Sequence, residues 1–102
     1  MTDSEKKFQL YLTILRFLPF KITKNFRRIY VDINLESHVI LLTAYFYDIP
    51  SDLDVELFDD IVTDSNAHTP DFYVRENIQI SNSPDFVAKH EFVAFAVHDR
   101  QG

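Results

Sequence analysis

Residues 27–36 hold an alternation of polar and apolar side chains that runs from Arg28 to Glu36, and this pattern constrains the fold more than any other feature of the chain. Side chains on a strand point alternately to its two faces, so the pattern predicts a half-buried β-strand with Ile29, Val31 and Ile33 facing the core. A second run, residues 38–47, is rich in β-branched and aromatic residues and begins after a short turn at Glu36 and Ser37. The two runs therefore predict an antiparallel hairpin.

The remaining periodicities predict two helices and two further strands. Residues 4–18 have helical spacing, with Ser4 as the cap and Pro19 as the stop. The side chains expected on the buried face of this helix are Phe8, Tyr11, Leu12, Leu15 and Leu18. A second helix is expected from Ser51 to Asp64, followed by strands over residues 72–81 and 90–98. We therefore expect a single α+β domain over residues 1–102, a two-layer sandwich in the order αββαββ, with a mostly antiparallel four-stranded sheet and two helices.

The second predicted helix carries carboxylates at a strict four-residue interval. The acids in this acidic stripe are Asp52, Glu56, Asp60 and Asp64. Like charges at this spacing destabilise a helix by about 0.2–0.5 kcal/mol per pair, so a basic partner bound along the stripe would explain them. Ser51 and Asp54 fit a capping box at the start of this helix. The predicted buried face contains Leu53, Leu57, Phe58, Ile61 and Val62.

The charges are unevenly distributed along the chain. Residues 48–71 hold eight carboxylates and no Lys or Arg, whereas residues 1–30 hold seven basic and two acidic residues, a net charge of +5. An acidic field of this kind attracts a basic macromolecule and disfavours direct nucleic-acid binding. The alternative interpretation is a solvated helix face that keeps the protein soluble.

The aromatic residues of the predicted strands form a second feature. The sheet face opposite the core is expected to carry Tyr30, Tyr45, Tyr47, Tyr73 and Phe92. Tyrosine is common at binding hot spots because it joins a large apolar area to a polar tip. The alternatives are cover by the N-terminal helix and self-association with a second copy of the chain.

The composition disfavours most catalytic and cofactor chemistry. Gly102 is the single glycine, so glycine-dependent phosphate loops and nucleotide turns are missing. The chain has no cysteine, and Asp64 with His68 supplies only two of the ligands that a metal needs. We expect no enzyme activity, no catalytic residue, no cofactor and no metal. The sequence shows neither a signal peptide nor an apolar run long enough to span a membrane, so we expect a cytoplasmic protein without a membrane partner.

The segments ELFDDIVTDSNAH (residues 56–68) and TAYFY (residues 43–47) resemble bacterial immunity proteins of contact-dependent growth inhibition and colicin-like toxin systems. The resemblance extends over about residues 15–99. It implies a cytoplasmic inhibitor that binds one cognate toxin, commonly a nuclease domain with a basic cleft. The partner-binding residues expected on this hypothesis are Asp52, Glu56, Asp59, Asp60, Asp64, Tyr45 and Tyr47.

Two other classes of function remain open at this point. A non-catalytic acidic adaptor or DNA-mimic regulator would share the stripe but bind another basic protein. A small hydrolase would use carboxylates with a histidine, and a closed cleft around His68 or His98 would favour it.

Overall fold

The computed structural model of the chain describes residues 1–81 and 89–97. It contains two helices and four strands in the predicted order αββαββ. The elements are α1 (Asp3–Leu15), β1 (Phe26–Asn34), β2 (Val39–Phe46), α2 (Asp52–Ala67), β3 (Tyr73–Ile80) and β4 (Phe92–Ala96). The α+β class is therefore confirmed.

The four strands form one mixed sheet in the order β3-β2-β1-β4. The predicted hairpin is present, since β1 and β2 pair antiparallel with Ile33 opposite Ile40 and Ile29 opposite Ala44. The expectation of a mostly antiparallel sheet was wrong, because β3 pairs parallel to β2 and does not pair with β4. Helix α2 forms the crossover that lets β3 start at the same end as β2, so β4 pairs instead with the free edge of β1.

The core lies between the helices and one face of this sheet. The strand residues of this cluster that are fully or nearly fully buried are Phe26, Ile29, Val31, Ile33, Ile40, Leu42, Ala44, Phe46 and Val74, and those of the hairpin between Ile29 and Phe46 follow the predicted alternation. From the helices, Ile14, Phe58 and Ile61 are also fully buried in the same cluster. Burying a side chain of this size contributes about 1.5–3 kcal/mol, so this cluster stabilises the position of α2 on the sheet.

Helix α1 differs from its prediction at its cap and on its buried face. Thr2, not Ser4, is the N-cap, because it exchanges capping-box hydrogen bonds with Glu5. Phe8 and Leu12 were predicted to be buried, but they are 50% and 44% exposed. The helix lies over the β4 side of the sheet, and the hydroxyl of Tyr11 donates to the backbone oxygen of Val93 at 2.5 Å.

The last strand also differs from its prediction. Phe92 was expected on the sheet face away from the core, but it packs on the helix side, with its ring 4.8 Å from the ring of Tyr11. A register shift in the β1–β4 pairing leaves Ala94 between the paired residues Val93 and Phe95. An extra residue in a strand moves the side chains that precede it to the opposite sheet face relative to those that follow it. A strict two-residue period therefore predicts the wrong face for Phe92.

Candidate functional site

The N-terminus of α2 is fixed by the predicted capping box. The Ser51 hydroxyl accepts a hydrogen bond from the Asp54 backbone N–H at 3.1 Å, and the Asp54 carboxylate accepts one from the Ser51 N–H at 3.0 Å. These bonds satisfy donors that have no partner within the helix. The cap sets where the helix begins and therefore which way each of the following carboxylates points.

Asp54 also joins the helix to the segment that precedes β1. We call residues 20–25 the connector. The Thr23 hydroxyl and the Asn25 side-chain amide donate to the two oxygens of the Asp54 carboxylate, at 2.5 and 3.0 Å. Burial by itself raises the pKa of Asp54, but the hydrogen bonds from Thr23, Ser51 and Asn25 outweigh it and lower the pKa below its ordinary value. Asp54 therefore stays charged, and its hydrogen bonds hold α2 to the connector.

These contacts also explain an error in the predicted helix face. Leu53 was expected in the core, but it is 56% exposed, and the buried positions are Asp54, Phe58, Ile61, Val62 and Ser65. Hydrogen bonds to the connector hold Asp54 on the inward side. Asp52 and Glu56 are each two positions from Asp54, which is about 200° around the helix, so both point outward.

The acidic stripe lies on the outward side of α2. Asp52 and Glu56 are exposed, whereas Asp60 and Asp64 are half-buried along one flank. On that flank the Lys21 ammonium lies 3.1 Å from an Asp60 carboxylate oxygen. The pair is partly exposed, so its contribution to stability is small, and it neutralises part of the charge at that end of the stripe.

On the opposite flank, Asp59 lies beside a carboxylate from the sheet. Glu76 of β3 points to the helix side, and its pKa is raised by burial, by the negative charge of Asp59 and by a hydrogen bond with the Asp59 carboxyl. Two carboxyls in contact repel when both are ionised. Glu76 is not among the predicted site residues, although it interrupts the apolar positions of β3, and this interruption is the signal that the sequence carries.

The outward acids of α2 and Glu76 therefore form one surface. We call it the acidic face and define its residues as Asp52, Glu56, Asp59, Asp60, Asp64 and Glu76. Each four-residue step along the helix moves about 6 Å, so the face presents negative charge over roughly three turns. Such a row can accept charge-assisted hydrogen bonds from several Lys or Arg side chains at once.

The two tyrosines predicted to bind with these acids lie elsewhere. Tyr45 alternates with the core residues Ala44 and Phe46, so it points to the sheet face away from α2. The Tyr47 ring lies 5.5 Å from the guanidinium of the buried Arg27. The structure does not bring either ring to the acidic face, and their part in partner binding stays a prediction that would require a second contact area.

A profile of the MafI2 immunity protein family matches residues 7–101, which is nearly the whole chain. The chain belongs to the MafI2 immunity protein family. This membership confirms the resemblance to bacterial immunity proteins, and it implies a toxin partner. No curated protein matches the chain.

In this MafI2 family member, the histidine network is a further feature that the sequence analysis missed. His90 contacts the Asp32 carboxylate through Nδ1 at 2.5 Å and the Tyr45 hydroxyl through Nε2 at 3.2 Å, and its ring stacks on Tyr30 at 4.3 Å. The pKa of Tyr45 is raised by burial and by the neighbouring Tyr30 and Asp32. The network ties residue 90, which precedes β4, to the hairpin.

Of the two histidines named for the hydrolase alternative, the structure describes His68, and its side chain is exposed. His68 caps the C-terminus of α2, contacts the Asp64 backbone oxygen at 2.9 Å and packs on Phe17, whereas His98 lies outside the described residues. A cavity of about 460 Å³ opens near the hairpin turn, and its lining residues are Asp3, Lys7, Ile33, Asn34, Leu35, Glu36 and Glu91. Within residues 1–81 and 89–97, no group of three or more His, Asp or Glu side chains is arranged to hold a metal.

Among the described residues, no helix is long and apolar enough to cross a membrane.

Proposed function

We propose that this protein binds one cognate toxin domain and neutralises it by placing the acidic face of α2 against a basic surface of the toxin. The toxin class that fits this surface best is a nuclease, because a nuclease cleft is lined with Lys and Arg side chains that bind phosphates. The observation that carries the proposal is the outward row of carboxylates on a helix whose inward side is fixed in the core.

Electrostatics supports this arrangement in two ways. The formal net charge of the chain is −6, and the acidic face concentrates negative charge on one element. Opposite charges on two partners raise the association rate, and carboxylates that become desolvated at the interface add specificity. The spacing of about 6 Å per four-residue step also gives a repeated negative charge that resembles a polyanionic substrate.

Repulsion between carboxyls within the acidic face also favours the binding of a basic partner. Asp59 and Glu76 lie in contact, and the pKa of Glu76 is raised first by burial and then by the negative charge of Asp59, so ionising both carboxyls is unfavourable in the free protein. A Lys or Arg side chain placed between these carboxyls would relieve the repulsion. On this proposal, the protein inhibits by binding alone, in the cytoplasm, without catalysis or a cofactor.

We expect a toxin reading frame to adjoin the gene for this chain, and the test uses the toxin domain encoded there. The purified chain should abolish the nuclease activity of that domain at a molar ratio near one to one, and coexpression should protect cells from it. Full nuclease activity with a molar excess of the chain would reject the proposal. If the chain instead retains a different basic protein from a lysate of its own strain, the adaptor or DNA-mimic alternative is favoured.

A further inference from the structure

Three large apolar side chains are strongly exposed beside the acidic face. Phe20 is fully exposed, Ile49 is 82% exposed and Leu53 is 56% exposed. We call these three residues the apolar rim. An exposed apolar side chain adds nothing to burial within the chain, so three of them around one surface suggest a contact with another molecule.

Contacts of the connector place the apolar rim along one edge of α2. The side chain of Lys21 reaches Asp60 at 3.1 Å, so Phe20 lies at the level of the third turn. The side chain of Asn25 exchanges hydrogen bonds with the backbone of Asp48 at 2.9 and 3.1 Å, which fixes the start of the loop that carries Ile49. Leu53 is in the first turn of the helix. The backbone segments that carry the three exposed side chains are therefore held beside α2 and the acidic face.

The backbone of Phe20 adds an independent observation. Its φ angle is 68°, in the left-handed region that favours glycine. A bulky residue in this region costs free energy, and here the side chain gains no burial in return. Folding alone would be served better by glycine at this position, so the phenyl ring is best explained by binding.

We propose that the apolar rim is the apolar anchor of the toxin interface, and that it contacts an apolar recess next to the basic surface of the toxin domain. This inference rests on the proposed function, and it adds the partner surface that the carboxylates by themselves do not specify. Interfaces commonly combine a few buried aromatic or aliphatic anchors with a charged and polar rim. The charge beside the anchor selects a basic partner over a second copy of this acidic chain.

The experiment measures the dissociation constant for the toxin domain encoded by the neighbouring reading frame. The test variants are Phe20→Ser and Leu53→Ser, and the matched controls are Phe8→Ser and Leu12→Ser, which remove exposed apolar side chains of α1. We expect each test variant to weaken binding at least about tenfold and each control to change it less than about twofold. A further variant, Phe20→Gly, should weaken binding equally while its Tm is equal to or above that of the wild type, because glycine suits φ 68°.

The possible outcomes separate this inference from the proposed function. If the wild type binds the toxin domain and both test variants bind equally well, the apolar rim is not an anchor and only this inference is overturned. If the controls weaken binding as much as the test variants, the apolar contact lies on α1 and the inference is also overturned. Loss of a wild-type dimer in Phe20→Ser, with toxin binding unchanged, would assign the rim to a second copy. No binding by the wild type would overturn both proposals.

Discussion

At the scale of single residues, Asp54 shows how a carboxylate in an acidic helix can serve the fold. Its side chain accepts hydrogen bonds from Thr23, Asn25 and the Ser51 backbone, and it is nearly fully buried. We predict that Asp54→Ala lowers the free energy of unfolding by about 2 kcal/mol or more, because a cap is lost and buried donors lose their acceptor. The exposed Asp52→Ala, in the same turn, should cost about 0.5 kcal/mol or less. Urea denaturation of both variants measures this difference.

The pH dependence of stability gives a second test of Asp54. Its pKa is lower in the folded protein than in the unfolded chain, so its contribution is fully present above the unfolded pKa. That contribution is lost as the pH falls through the folded pKa. The stability gap between the wild type and Asp54→Ala should therefore narrow in acid. A gap that is constant from neutral to strongly acidic pH would contradict the charged, hydrogen-bonded state of Asp54.

Glu76 is predicted to behave in the opposite way. Its pKa is raised by burial and by Asp59, so the charged form destabilises the fold at neutral pH. Glu76→Gln should raise the free energy of unfolding by about a few tenths of a kcal/mol at neutral pH, since both groups are partly exposed and screened. The gain should shrink as the pH falls through the raised pKa of Glu76. Glu36→Gln, an exposed acid of the hairpin turn, is the matched control. A gain that persists unchanged in acid would reject repulsion as the cause.

At the scale of elements, local patterns predicted α2 well, but they predicted its exact orientation less well. Its cap at Ser51 and its buried residues Phe58, Ile61 and Val62 follow from spacing and turn chemistry. The exposure of Leu53 does not, because it depends on the contact between Asp54 and the connector. Helical periodicity identifies the most apolar face of a helix as the buried one. It does not include the hydrogen bonds from Thr23 and Asn25, which are distant in sequence and hold the polar Asp54 on the inward side.

The sheet shows the same division between local and long-range information. Alternation and a short turn predicted the β1–β2 hairpin. The parallel partner of β2 was missed because strand pairing depends on which edge is free after α2 crosses the sheet, and residues 72–81 carry no local sign of it. The wrong sheet face predicted for Phe92 has a local cause. Ala94 is an extra residue in β4, and a regular two-residue period does not reveal it.

The acidic stripe itself is predicted to weaken its helix slightly. Glu56 and Asp60 are like charges at i and i+4, so Glu56→Gln with Asp60→Asn should leave the fold intact and the free energy of unfolding unchanged or raised by about 0.2–0.5 kcal/mol. Loss of the Asp60 contact with Lys21 offsets part of any gain. Circular dichroism and thermal unfolding measure both quantities. A cooperative fold lost at ambient temperature would show that these acids are structural.

At the scale of the whole molecule, the charge separation along the sequence is partly neutralised in the fold. Lys7 pairs with Glu91 at 2.6 Å, and Lys21 pairs with Asp60. The Arg27 side chain is buried and donates to the Ser81 backbone oxygen at 2.9 Å. Lys7, Lys21 and Arg27 of the N-terminal third thus make contacts within the protein, whereas the carboxylates of Asp52 and Glu56 stay exposed on the outward side of α2. The acidic half of the candidate site was visible in the sequence, but Glu76 and the apolar rim needed the three-dimensional contacts.

The measurement that tests the central claim most directly is calorimetric titration of the neighbouring toxin domain with three forms of the chain at low and high salt. The forms are the wild type, Glu56→Gln with Asp60→Asn, and the control Glu36→Gln with Asp71→Asn, which removes the same charge from exposed sites elsewhere. The acidic-face variant should bind at least about tenfold more weakly and lose salt dependence, while the control should bind like the wild type. Equal affinities for all three forms, at both salt concentrations, would show that the acidic face is not where the toxin binds.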